Sequence, residues 1–178
     1  RPTSYKWKGG RDLRLELGGN SIEAKLFCQE KKGVQWALLD APALYERPYV
    51  YNDSDGGGAD EHRRFGALSL AAIESVRQGL VEADVLHVHD WHTALAPYLL
   101  RRHPAYREDA SLSRLNSLLT IHNLGYQGVF PKEVLVDLGL PAEDFNTEVL
   151  EFYGKVNFMK AGIVFADAVN VVSPQYAA

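Results

Sequence analysis

The stretch "VLHVHDWH" at residues 85–92 puts His87, His89, Asp90 and His92 within six positions. Imidazole and carboxylate groups this dense suit two kinds of chemistry: ligation of a metal ion such as zinc, or hydrogen bonding and proton handling in a catalytic cleft. If the stretch is a strand, His87 and His89 share one face, as two zinc ligands could. The order differs, however, from the His-x-His-x-Asp-His loop of binuclear zinc hydrolases, because Trp91 separates Asp90 from His92. A metal set would also need ligands from later strand ends, where only His122 falls in an expected position. The structural alternative makes His87 and His89 satisfied core or edge histidines, with Asp90 capping a helix that starts near Trp91. A third reading sets His92 at a helix N-terminus facing a cleft, where backbone N–H groups suit a ligand rich in hydroxyl and phosphate oxygens.

The elements around this stretch decide what it can face. "LRLEL" and "SIEAKLF" alternate around the turn signal at Gly18, Gly19 and Asn20, and "VQWALLD" runs apolar after Lys32 and Gly33. A β-hairpin followed by a strand is the simplest parse. Residues 45–60, "YERPYVYNDSDGGGAD", form a long loop, a common location for functional groups. Asp60 or a near neighbour can then cap a helix carrying Phe65, Leu68, Ala72, Ile73 and Val76, which ends near Gly79. "ADVLHVHD" reads as a strand, "WHTALAPYLLRRH" as one helix, and "SLLTIHN" as a second strand before the loop "LGYQGVF". Pro131 suits the first position of a helix that stops at Gly139, "VNFMKAGIVFA" is an apolar helix, and "DAVNVVS" is a strand ending at Pro174.

Continuous apolar strands alternating with helices predict an α/β fold, with a mostly parallel sheet covered on both faces. Ligands of such sheets bind beyond the carboxyl ends of the strands. Three polar clusters fall there: "HDWH", "HNLGYQG" and "SPQY".

With 178 residues, 46% apolar and 24% charged, the chain can bury one domain core. No stretch approaches the roughly 20 apolar residues a membrane span needs. A net charge of −4 and short, interrupted basic clusters argue against nucleic acid as a partner. The single Cys28 lies in a strand-like run, so a buried thiol in a reducing, cytoplasmic compartment is expected. A chain running from Arg1 to "SPQYAA" reads as a piece of a longer protein.

Four stretches together, "LLDAPALYERP", "HVHDWHTALAPYLL", "TIHNLGYQGVFP" and "FYGKVNFMKAGIVFADAVNVVSPQYA", closely resemble the N-terminal domain of the glycogen synthase and starch synthase family. The resemblance covers about residues 34–178. It implies a Rossmann-like fold, with residues 1–178 as the partial acceptor-side half of a two-domain glucosyltransferase. Such an enzyme transfers glucose from ADP-glucose or UDP-glucose to an α-1,4-glucan with retention of configuration, without a metal or other cofactor. His92 then lies beside the transferred glucose, and Asp90 fixes its loop. Asn123, Tyr126 and Gln127 match a second loop lining the cleft. Tyr45 matches a tyrosine near the acceptor glucan, and Asp60 and Arg64 match an aspartate and an arginine at the following helix start.

Two family features are missing: the Lys-Thr-Gly-Gly loop of the first βα unit, and the C-terminal domain whose cationic residues hold the nucleotide diphosphate. The piece by itself is therefore expected to be inactive, and its uncovered sheet edge and cleft to favour self-association. Two rival readings remain, a metal-dependent hydrolase using the histidine cluster and a non-catalytic glucan-binding module.

Overall fold

The structure is a computed structural model and describes residues 9–47, 50–51 and 60–174. Strands β1 (Arg11–Leu17), β2 (Asn20–Lys31) and β3 (Val34–Asp40) form an antiparallel sheet in that order. Its turns are two-residue loops in the left-handed region, Gly18-Gly19 (φ 58° and 75°) and Lys32-Gly33 (φ 55° and 74°). That geometry matches the twist of the flanking strands. Leu13, Leu15 and Leu17 alternate into the core beside Ile22, Ala24 and Leu26.

Beyond Leu26, β2 runs past the core. Cys28 is consequently only half-buried, not the buried thiol expected, and Val34 and Trp36 on the edge strand β3 are exposed. The short helix α1 (Pro42–Tyr45) follows.

Helix α2 (Glu61–Arg77) lies between this hairpin sheet and the helices that follow the histidine stretch. Packed from two sides, it buries Phe65, Ala67, Leu70, Ala71 and Ile73. Leu68, Ala72 and Val76, expected on the core face, are only partly buried. The amide of Gln78 pairs with the backbone of Arg14, giving to its carbonyl at 3.0 Å and accepting from its N–H at 3.3 Å, which docks β1 on the end of α2.

Strands β4 (Val85–His89), β5 (Asn116–Ile121) and β9 (Ala168–Val171) form the parallel sheet, in the order β4-β5-β9. Val88, Leu119 and Ile121 are buried in one core with Leu95, Leu99, Phe158 and Met159. The opposite face differs from the expectation of two covered faces: among the described residues Val85, His87 and His89 are exposed there. The helix expected over residues 91–103 is two, α3 (Asp90–Thr93) and α4 (Leu95–Arg102). Pro97 explains the break, because it has no N–H to offer the Thr93 carbonyl four residues back.

A third sheet, unforeseen in the sequence, pairs β6 (Val129–Phe130), β8 (Lys155–Asn157) and β7 (Glu151–Phe152). Helix α5 (Val134–Leu138) ends at Gly139 with φ 67°, as the glycine stop signal predicts. Helix α6 (Phe158–Phe165) begins with the Asn157 side chain accepting from Lys160 N–H at 2.8 Å. Among the described residues no helix is long and apolar enough to cross a membrane.

Candidate active site at the ends of β4 and β5

At the end of β4 the chain turns sharply at Asp90, whose φ of 53° is left-handed. A short polar side chain tolerates this conformation better than most. Thr93 closes the turn: its hydroxyl accepts from His89 N–H at 2.8 Å and donates to the His89 carbonyl at 3.0 Å.

The Asp90 carboxylate does not cap α3. Its Oδ1 accepts from the backbone N–H groups of His122 at 2.7 Å and Asn123 at 3.2 Å. One carboxylate therefore ties the loop after β4 to the loop after β5. Within that second loop Asn123 Oδ1 accepts from Gly125 N–H at 2.9 Å, which leaves its amide N–H groups for a ligand. The carbonyls of Gln127 and Gly128 accept from Met159 and Phe158 at 3.0 Å each, fixing the loop on the start of α6.

His92 stands on α3 among aromatic rings. Trp91 stacks on it at 4.2 Å between centroids, Phe65 meets it edge-on at 4.8 Å, and the Tyr51 hydroxyl lies 2.6 Å from its Nε2. Burial pushes the His92 pKa below the ordinary imidazole value, opposed only in part by the Asp90 charge. At neutral pH the ring is therefore uncharged, a hydrogen-bonding group suited to orienting a hydroxyl. The cavity in front of it measures about 450 Å³ and is lined by Tyr51, Glu61, Asp90, Trp91, His92, Asn123 and Tyr126. Polar groups and aromatic surface in one open cleft suit a polyhydroxylated ligand.

Of the residues nominated from sequence, His92, Asp90, Asn123 and Tyr126 meet at this cavity. Tyr45 does not: its half-buried hydroxyl donates to the Arg64 carbonyl at 2.7 Å, and burial raises its pKa. Gln127 is taken up by the scaffold, giving to the Leu124 carbonyl and accepting from Asn157 Nδ2 at 2.8 Å. Asp60 makes no capping bond to α2 and pairs instead with Arg47 and Arg64. Tyr51 and Glu61 line the cavity without having been singled out. Gln175 and Tyr176 of the third polar cluster lie outside the described residues.

The other two histidines of the stretch go elsewhere. His87 Nε2 meets Thr120 Oγ1 at 2.6 Å, and His89 Nδ1 meets His122 Nε2 at 3.1 Å. The three imidazoles thus hydrogen-bond to three separate partners, although the His87 and His89 rings lie side by side at 4.3 Å between centroids. Among the described residues no three His, Cys, Asp or Glu side chains converge as a metal site.

Residues 3–178, nearly the whole chain, match the starch synthase catalytic domain family. The chain belongs to that family. It is 40% identical to a glycogen synthase of Bacillus cereus over 165 residues, 92% of this chain and 33% of that one. With a glycogen synthase of Aquifex aeolicus the identity is 44% over 170 residues, 96% of this chain and 34% of that one. The fold matches the catalytic domain of Arabidopsis thaliana starch synthase IV, bound to ADP and acarbose, with a TM-score of 0.79 and 26% identity. That match covers 94% of this chain and 34% of the other. The chain thus spans about a third of the length of these relatives.

Two predictions concern how this starch synthase-family segment holds its site. Gly128 has φ 62°, and a Cβ there would stand 2.4 Å from Trp91 Cε3. Gly128→Ala should cost about 2–4 kcal/mol in denaturant unfolding and displace the indole on which His92 rests. Wild-type stability and unchanged tryptophan fluorescence would refute that packing.

The second concerns acid. Burial depresses the pKa of His89, helped by neighbouring His87 and His122, and burial does the same to His92 and His103. The unfolded chain takes up protons near the ordinary imidazole value of about 6.5, before the folded chain does. This contribution to stability is complete above that pH and is lost as pH falls through the depressed folded values. The unfolding temperature should therefore drop on acidification from about pH 7 to 5, less steeply in His89→Asn. A flat profile would contradict the burial.

Proposed function

We propose that the chain is the N-terminal, acceptor-side part of a glycogen or starch synthase. In the whole protein it would transfer glucose from ADP-glucose or UDP-glucose to the non-reducing end of an α-1,4-glucan, with retention. The observation that carries this reading is the cavity at the carboxyl ends of β4 and β5, where an uncharged His92 is held against Tyr51 beside Asn123 and Tyr126. The similar starch synthase IV is bound to ADP and acarbose, and the proposal puts the corresponding nucleotide and carbohydrate of this protein at this cavity.

In the reaction the bond from the sugar's anomeric carbon to the diphosphate oxygen breaks as a bond to the acceptor's 4-hydroxyl oxygen forms. The hydroxyl proton leaves with the diphosphate. His92 orients the glucosyl hydroxyls, Asn123 offers amide donors, Tyr126 offers ring surface, and Asp90 keeps the two loops in register. Orientation of this kind lowers the barrier by holding reacting atoms in line. Stabilising the departing charge is the work of cationic residues in the C-terminal domain.

On the same reading a preceding βα unit pairs with the edge of β4 that no strand covers among the described residues, and the C-terminal domain closes the cleft. Exposed Val85, Val169 and Val172 support this, since a larger protein would cover them. The chain taken alone should self-associate through those surfaces. The test is labelled glucose transfer to a maltooligosaccharide by the full-length protein, using each donor in turn. Elongation with one donor and α-1,4 linkage is expected, with none from residues 1–178 alone. A folded full-length protein inert with both donors would end the proposal.

A further inference from the structure

Val50 and Tyr51 themselves lie in neither a strand nor a helix, yet Tyr51 reaches His92. A cluster one turn into α2 anchors Val50. Arg64 is 4% exposed; its Nη1 donates to the Val50 carbonyl at 2.5 Å and its Nε to Asp60 Oδ1 at 3.2 Å. The Asp60 carboxylate accepts from both Nη atoms of Arg47, at 3.0 and 2.6 Å. The Arg64 carbonyl accepts from the Tyr45 hydroxyl. Residues 45, 47, 50 and 60 are thereby gathered on Arg64 and Asp60, and Tyr51 follows directly from the tethered Val50.

We propose that Arg64 and Asp60 are positioning residues that set the Tyr51 hydroxyl against His92 Nε2, fixing the imidazole's orientation and tautomer before substrate arrives. The guanidinium is suited to this because its planar fork donates in two directions at once, to a carbonyl and to a carboxylate. A lysine at this position would keep the charge but not the fork. The carboxyl of Asp60 stays below the ordinary range: burial works against this, and the hydrogen bonds and charges of Arg47 and Arg64 outweigh it. At neutral pH the clamp is therefore fully charged.

This inference rests on the sugar-cleft reading of His92 for its purpose, but not for its geometry. It is tested in the full-length protein with histidine ring carbons labelled for NMR. Tyr51→Phe removes the hydroxyl without touching the clamp, and Arg64→Lys removes the fork without touching Tyr51. Each should shift the His92 ring signal and its titration midpoint in the same direction. The double variant should add little to either, because both act through one hydrogen bond. Each should also lower kcat/KM about tenfold, again without adding.

A lowered unfolding temperature with unchanged His92 signals would show a merely structural cluster and overturn the proposal, as would additive effects. If Arg64→Lys does not fold, Asp60→Asn gives the same readout, removing the carboxylate's charge while keeping an acceptor oxygen. Should the clamp variants move His92 while transfer is insensitive to His92, the functional reading fails and the positioning geometry stands.

Discussion

Replacing His92 with Ala in the full-length protein is expected to lower glucosyl transfer by about 10²–10³-fold while leaving the fold intact. The side chain stands at the cavity wall between Trp91, Phe65 and Tyr51, so its truncation leaves space and an unpartnered Tyr51 hydroxyl. The loss should fall mainly on kcat, since a group that orients the glucosyl unit matters most in the transition state. Because the ring is held uncharged at neutral pH, His92→Gln, which also offers a donor and an acceptor, should recover part of the rate. A variant as active as the wild type would remove His92 from the site.

The second large effect is expected at Asp90, for a different reason. Its carboxylate joins the two loops that carry His92 and Asn123, and its backbone occupies a left-handed conformation. Asp90→Ala loses both features and should cost about 2–3 kcal/mol of stability and at least tenfold in transfer. Asp90→Asn keeps an acceptor oxygen and tolerates the backbone, so it should retain most of the stability. Asp90→Gly relieves the strain but frees the loops, giving a stable protein with impaired transfer. Equal behaviour of the three variants in unfolding and activity assays would contradict this division of labour.

These side chains differ in how far the sequence announces them. His92, Asp90, Asn123 and Tyr126 follow directly from strands whose carboxyl ends are marked by their own polar motifs, so a parallel sheet brings them together. Tyr51 is 41 residues from His92, in a stretch of sequence that also contains Tyr45 and Tyr49. Nothing local distinguishes one tyrosine from another there; Tyr45, in the motif "LYERP", donates to the Arg64 carbonyl. Asp60 shows the same limit: its position before a helix suggests a cap, but Arg47, 13 residues away, and Arg64 compete successfully for its carboxylate.

The hairpin and the parallel order were legible from periodicity and turn glycines. The small sheet of β6, β7 and β8 was not, because strands of two or three residues carry no period. The split between α3 and α4 had a signal in Pro97 that the apolar pattern of "WHTALAPYLL" obscured. The uncovered face of β4 is a tertiary fact. Its apolar run reads as a strand buried on both sides, although His87 and His89 lie exposed among the described residues.

The most direct measurement is a crystal structure of the full-length protein with ADP and a maltooligosaccharide analogue. A sugar ring should occupy the cavity between His92, Asn123 and Tyr126, with one hydroxyl within about 3.2 Å of the hydrogen-bonded Tyr51–His92 pair. A carbohydrate bound elsewhere, with only solvent in front of His92, would contradict the assignment of this cavity to glucosyl transfer.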